Sequence, residues 1–155
     1  MLTLRNLALD DAAAIRRIYS GNAVTYLGRP EMTETEADKY VAQVQQWAAA
    51  DPVQQYILGV DVAGDLVGVV KLGRRRGNHG RVSYVLREDC WGNGHATASV
   101  RELVTFACTT AGFASLGAKH HPDNPASGRV LAKAGFTCAG IKAGMVEYTL
   151  AHLEG

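Results

Sequence analysis

Two glycines at a predicted strand-to-helix junction are the positions of this sequence best suited to chemistry. Gly92 and Gly94 are followed by His95, Ala96 and Thr97, where a predicted helix begins. A helix start leaves about four backbone N–H groups unpaired and carries roughly half a positive charge. Because glycine lets a ligand approach the backbone closely, these five residues form a candidate phosphate or pyrophosphate cradle. A plain helix-entry turn would also explain the glycine pair, since neither a Walker loop nor G-x-G-x-x-G is present.

A second candidate pair is Asn124 and Ser127, which are followed by a short apolar helical pattern. Residues three apart share one helix face, so both side chains could act on the same ligand. The alternative is structural, with Asn124 as an N-cap and Ser127 completing the first turn.

Metal and cysteine chemistry have weaker support in the sequence. His120 and His121 have no Cys, Glu or further His at ligand spacing, and H-E-x-x-H is absent, so we predict no metal site. Cys108 falls in a predicted helix and Cys138 in a predicted strand, where small apolar packing is expected. Cys90 lies near the glycines but has no evident His–Asp partner.

Hydrophobic periodicity predicts the elements that must position these residues, in the order β-α-α-β-β-β-α-β-α-β-β. The predicted strands are residues 2–7, 54–62, 65–73, 81–87, 113–119, 136–141 and 145–150. Three consecutive strands joined by short turns imply antiparallel pairing, whereas the helical crossover between the fourth and fifth strands implies a parallel pair. The predicted fold class is therefore α/β with a mixed sheet, not a doubly wound one.

Helix starts are predicted from capping residues. Asp10 or Asp11 could cap the first helix, which carries Ile15 on its apolar face. Thr33 and Glu36 match the capping-box spacing ahead of the second helix.

Composition excludes several classes of function. The 155 residues are 47% hydrophobic and 20% charged with a net charge of +1, which predicts one globular domain spanning residues 1–155. No global field recruits nucleic acid, and no apolar run predicts a membrane span. Three cysteines without close pairs fit a reducing compartment, and no targeting segment is visible. We therefore expect a soluble cytoplasmic protein.

Taken together, the two candidate sites resemble a known family. The segment Trp91–Ala98 after a strand, followed by the pattern Asn-x-x-Ser-x-x-x-Leu-x-Lys-x-Gly-Phe over residues 124–136, resembles the GCN5-related N-acetyltransferase (GNAT) family. The likeness is greatest to its ribosomal-protein alanine N-acetyltransferase branch and extends over nearly the whole chain. Trp91 stands where the family usually has Gln or Arg, as is common in this branch.

The resemblance implies acetyl-CoA as cosubstrate and assigns residues to it. The pyrophosphate would bind the amides of Trp91, Gly92, Asn93, Gly94, His95, Ala96 and Thr97, and the pantetheine arm would pair with Tyr84, Val85 and Leu86. A β-bulge would splay this strand from the next one and open a V for the thioester. Asn124 would bond the pantetheine, and Ser127 would lie near the sulfur.

The implied reaction is direct acetyl transfer to a primary amine of a small molecule or a protein N-terminus. Ser127 would protonate the leaving thiolate, and a backbone N–H near Val85 or Leu86 would hold the oxyanion. Glu147 is the first candidate for the base, directly or through water, although a solvent-facing strand carboxylate is an equal alternative. Tyr148 is a candidate acid or a core aromatic. Related enzymes often carry an acidic residue where this chain has Gly144, which weakens the assignment on that strand.

The acceptor pocket should come from the loop at residues 21–32 and the last hairpin. Asn22, Thr25, Tyr26 and Leu27 are its candidate residues, with packing roles as the alternative for Tyr26 and Leu27. A non-catalytic acyl-CoA-binding or regulatory domain is the alternative function, and a nucleotide-binding module is a third. Similar proteins commonly form homodimers, which is an expectation here.

Overall fold

The computed structural model describes residues 1–151. Its strands are β1 (Leu2–Arg5), β2 (Gln55–Val62), β3 (Asp65–Arg75), β4 (His79–Leu86), β5 (Ser115–His120), β6 (Thr137–Lys142) and β7 (Met145–Leu150). Its helices are α1 (Ala12–Ile18), α2 (Glu34–Ala48), α3 (His95–Thr109) and α4 (Pro125–Lys133), with one-turn 3₁₀ helices at Leu9–Asp11, Gly21–Val24 and Glu88–Cys90. The predicted order of strands and α-helices is confirmed.

Within this described part, seven strands form one sheet in the order β1-β2-β3-β4-β5-β7-β6. Strands β1 to β4 pair antiparallel, and β4 pairs parallel with β5, as the short turns and the helical crossover predict. The last hairpin inserts β7 between β5 and β6, so β7 lies beside the centre of the sheet. The predicted mixed sheet is confirmed.

Helices cover both faces of the sheet, and β4 supplies apolar side chains to the core on each face. Val82 and Leu86 pack into the core beneath α3 and α4, whereas Val85 packs into the core beneath α1 and α2. The two cores lie on opposite faces of β2, β3 and β4.

The helix starts confirm one capping prediction and correct the other. Thr33 and Glu36 form the predicted reciprocal capping box of α2. Asp11 occupies the N-cap position of α1, but its carboxylate does not cap the helix. It accepts instead from the Ala8 amide at 2.7 Å and from both terminal nitrogens of Arg5 at 2.8 and 3.0 Å. The guanidinium holds the carboxylate away from α1 and lowers the pKa of Asp11.

Strands β4 and β5 separate after a short region of pairing. They pair only from His79↔Ser115 to Arg81↔Gly117, which leaves the rest of β4 without this neighbour. The β-bulge expected in β4 is wrong, since the β3–β4 register runs without a shift from Gly68↔Leu86 to Arg75↔His79. The V opens where pairing between β4 and β5 ends, while β4 stays paired to β3 and β5 stays paired to β7. No helix in the described residues is long and apolar enough to cross a membrane.

Candidate active site

A cavity of about 510 Å³ lies where β4 and β5 diverge. It is bounded by α3, α4 and the α1–α2 loop (residues 21–32). Most residues predicted for a site line it: Asn22, Tyr26, Leu27, Tyr84, Val85, Leu86, Trp91, Gly92, Gly94, His95, Ala96, Thr97, Asn124 and Ser127. Four predicted residues do not line it: Thr25, Asn93, Glu147 and Tyr148. The fold therefore brings the two sequence motifs together.

The glycine loop (residues 91–97) leads into α3 at the cavity wall. The backbone amides at the start of α3 are not covered by a capping side chain. Gly92 and Gly94 have φ of +83° and +76°, and Gly94 is the N-cap of α3. No side chain caps α3, and its first turn has no acidic residue. A Cβ at either glycine would meet no atom within 4 Å. The glycines are therefore required by backbone conformation, and the space before the amides is open.

Side chains fix the entrance to this loop. The Trp91 indole donates to the Leu86 carbonyl at 3.1 Å, although half of the Trp91 surface is exposed. Arg87 binds the carboxylates of Asp65 on β3 and Asp89 in the loop, at 3.0 and 2.6 Å. The chain between β4 and α3 is therefore held to the sheet before it reaches the glycines.

Asn124 and Ser127 approach the cavity from α4. Asn124 precedes Pro125 at the N-cap position, yet its amide side chain makes no capping hydrogen bond and lines the cavity. The Ser127 hydroxyl lies 3.0 Å from the Tyr84 hydroxyl, so a hydrogen bond joins α4 to β4 in the cavity. Burial raises the pKa of Tyr84, and the bond to Ser127 opposes that rise.

Glu147 and Tyr148 lie on opposite faces of β7. Glu147 lies opposite Lys119 in the β5–β7 register and points to the face of the sheet away from α4. Tyr148 points to the α4 side of the sheet, and its ring centroid lies 5.6 Å from that of His120 on β5. Its hydroxyl is 2.7 Å from the position that a Cβ on Gly128 would occupy. Tyr148 therefore supports the cavity wall from behind.

The α1–α2 loop lies at the cavity mouth, where two of its residues are hydrogen-bonded to neighbouring connections. Asn22 donates its backbone N–H and its side-chain amide to the Glu88 carboxylate at 3.1 and 2.5 Å. Tyr26 donates to the Asp123 carbonyl at 3.0 Å, and its ring packs at 5.3 Å from the ring of His121. The loop is therefore tied to both the β4–α3 and the β5–α4 connections.

Charge in the cavity is one-sided. Lys119, Arg129 and Lys133 line it, and no Asp or Glu of residues 1–151 does so. The described chain also contains no cluster of three or more His, Cys, Asp or Glu that could hold a metal ion. Cationic side chains and uncovered helix amides together favour an anionic ligand.

Residues 1–137 match the family model described as the acetyltransferase (GNAT) domain. The chain belongs to the GNAT acetyltransferase family. The uncharacterized N-acetyltransferase YoaA of Bacillus subtilis is 29% identical over 146 residues, covering 90% of this chain and 81% of that protein.

Solved GNAT structures share the fold at low identity. The ribosomal L7/L12 alpha-N-protein acetyltransferase RimL in complex with coenzyme A superposes with a TM-score of 0.85 at 18% identity, covering 99% of this chain and 96% of that one. The spermidine N-acetyltransferase of Vibrio cholerae in complex with coenzyme A and spermine superposes with a TM-score of 0.81 at 16% identity, covering 97% of this chain and 95% of that one. The expected GNAT fold is confirmed.

Sequence reasoning assigned no site role to several residues in or beside this GNAT cavity, among them Glu88, Lys119 and His120. Glu88 anchors Asn22 from 66 positions away, a contact without a local signal. Lys119 is a cavity cation, and His120 is buried in the wall. The period-2 pattern of Leu116, Ala118 and His120 was the signal for His120, since it places all three on the buried face of β5.

A second, larger cavity of about 650 Å³ lies between α1 and α2 of the GNAT fold. Its lining combines Arg16 and Arg17 with Glu34 and Asp38, and it contains none of the predicted site residues. Its charges are mixed and it lacks the glycine loop. The β4–β5 cavity is therefore the candidate active site.

Proposed function

We propose that this GNAT protein is an acetyl-CoA-dependent N-acetyltransferase that acts on a primary amine of a small molecule or a protein N-terminus. The observation that carries the proposal is the convergence of the glycine loop, the unpaired edge of β4 and Ser127 on one cavity. We further propose that residues 1–155 form one such domain and that the enzyme works in the cytoplasm, where acetyl-CoA is available.

Coenzyme A would bind along the α3 and β4 side of the cavity. The pyrophosphate would accept hydrogen bonds from the glycine-loop amides of residues 91–97, and Arg129 and Lys133 add positive charge. The pantetheine arm would take the place of β5 beside Tyr84, Val85 and Leu86, where β4 has lost that partner. The side-chain amide of Asn124 makes no capping bond and is available to it.

Acetyl transfer would take place between β4 and Ser127. The amine nitrogen attacks the thioester carbonyl carbon, and a β4 amide near Val85 or Leu86 holds the oxyanion. The C–S bond then breaks, and the Ser127 hydroxyl, paired with Tyr84 at 3.0 Å, stabilises the thiolate. An alkylamine with a pKa of about 10.4 is neutral at pH 7 in only about one molecule in two thousand, so the site must promote loss of a proton.

The acceptor would enter beneath the α1–α2 loop, against Asn22, Tyr26 and Leu27. Structural relatives are named for amines as different as a ribosomal protein N-terminus and spermidine. Both classes remain candidates because the cavity mouth is open and Tyr26 and Leu27 are about two-fifths exposed. We propose no nucleic-acid or membrane partner. A homodimer stays a prediction, which size-exclusion chromatography with light scattering would test.

An acceptor screen tests the function. Purified protein is incubated with acetyl-CoA and a panel of N-terminal peptides, polyamines, aminoglycosides and amino-acid-like antibiotics, and thiol release and product mass are measured. We expect at least one amine to gain an acetyl group with stoichiometric release of thiol. Binding of coenzyme A without turnover on any amine would support the non-catalytic acyl-CoA-binding alternative. Competition by ATP or NAD for the glycine loop would support a nucleotide-binding module.

A further inference from the structure

Two neighbouring histidines line the cavity at the end of β5, and they differ in burial. His120 is 8% exposed and packs between β7 and α4, whereas the side chain of His121 is 42% exposed. Near His120, a Cβ on Gly128 would lie 2.8 Å from Nε2. His120 is thus enclosed by protein while still forming part of the cavity surface.

Their hydrogen bonds fix opposite tautomers. Nδ1 of His120 lies 2.7 Å from the His121 carbonyl, which only accepts, so Nδ1 carries the hydrogen and Nε2 keeps a lone pair in the neutral ring. Nδ1 of His121 accepts the Asp123 amide at 3.0 Å, so the neutral His121 ring carries its hydrogen on Nε2. Within residues 1–151, Nε2 of His120 has no hydrogen-bond partner.

Other groups are less suited to receive a proton. Since no Asp or Glu of the described residues lines the cavity, a carboxylate base would have to act through water. Ser127 and Tyr84 already share a hydrogen bond and are weak bases. Among the described residues that line the cavity, His120 alone combines burial, a place in the wall and a fixed lone pair.

We propose that Nε2 of His120 is the proton acceptor of the acetyl transfer, an inference that rests on the proposed function. As the amine nitrogen bonds to the acetyl carbon, its proton passes to Nε2, directly or through one water. The C–S bond breaks, and the proton passes from the imidazolium to the thiolate, directly or by way of Ser127. The products are the N-acetylated amine and coenzyme A as a thiol, with His120 neutral again.

The titratable and charged groups near His120 come from several elements. Tyr148 of β7 packs against the ring, and Tyr84 of β4 lines the same cavity. The cationic groups are Arg129 on α4 and Lys119 on β5, with the titratable His121 adjacent. The Asp123 carboxylate lies 3.7 Å from Nδ1 of His121.

Two substitutions test the proposal by steady-state kinetics across pH. His120→Ala should lower kcat/KM by about 10²–10⁴-fold, abolish the acidic limb of its pH profile and regain activity with added imidazole. His120→Asn can still donate to the His121 carbonyl but offers no ring lone pair. It should therefore be equally slow, with an unchanged melting temperature and coenzyme A dissociation constant.

His121→Asn is the matched control, because its side-chain oxygen can still accept the Asp123 amide. Its pH profile should keep the acidic limb. The proposal is overturned if His120→Asn turns over like the wild type, or if His120→Ala keeps the acidic limb and ignores imidazole. A wild type that binds coenzyme A and acetylates no amine would overturn the proposed function and this inference together.

Discussion

The two sides of the β4–β5 cavity are held by different kinds of contact. The glycine loop side consists of backbone at the start of α3 and the edge of β4, both continuous with a fully buried core. The α1–α2 loop side depends on exposed side-chain hydrogen bonds, namely Asn22 to Glu88 and Tyr26 to Asp123. We therefore expect the first side to suit a constant ligand and the second to change with few substitutions.

Breaking the backbone of the glycine loop should have the largest effect. In Gly94→Val, valine at φ +76° introduces backbone strain of about 1–3 kcal/mol, and its methyl groups enter the space in front of the α3 amides. We expect acetyl-CoA affinity to fall by more than about 100-fold, measured by calorimetry. Gly77→Val is the matched control: Gly77 has φ +74° and equally open space, but it lies at the β3–β4 turn. Equal losses of affinity in both variants would remove the glycine loop from the binding site.

The hydrogen bond between Ser127 and Tyr84 should affect turnover more than the binding of acetyl-CoA. Ser127→Ala and Tyr84→Phe each remove one hydroxyl of the 3.0 Å pair, and we expect kcat to fall by about 10–100-fold with little change in acetyl-CoA affinity. Ser115→Ala removes a hydroxyl that contacts His79 outside the cavity and serves as the control. An unchanged kcat in Ser127→Ala would leave Ser127 as a residue of the first α4 turn only.

The same contrast explains what the sequence could predict. Glycine positions, capping residues and apolar periodicity are local signals, so the α3 junction, the α2 capping box and the element order were predictable. The Glu88–Asn22 contact joins distant segments, and the role of Asp11 depends on Arg5, so neither was predictable. The V was expected from a bulge, but it arises from where β4–β5 pairing ends, and no single strand encodes that.

Loosening the α1–α2 loop should have a smaller effect, on the acceptor side alone. Glu88→Gln leaves a neutral partner for Asn22 and weakens bonds worth about 0.5–1.5 kcal/mol in an exposed setting. We expect KM for the amine to rise about 2–10-fold and acetyl-CoA affinity to stay within about twofold. Glu102→Gln, exposed on α3 outside the cavity, is the control. A lower acetyl-CoA affinity in Glu88→Gln would mean that the α1–α2 loop side and the glycine loop side of the cavity are coupled.

Glu147→Gln should have the smallest effect of all. Glu147 lies opposite Lys119 in the β5–β7 register, on the face of β7 away from α4, and its side chain does not line the cavity. With His120 as the proton acceptor, we expect kcat/KM within about threefold of wild type and an acidic limb in the same place. Loss of the acidic limb in Glu147→Gln, together with its survival in His120→Asn, would assign the proton acceptor to Glu147 instead of His120.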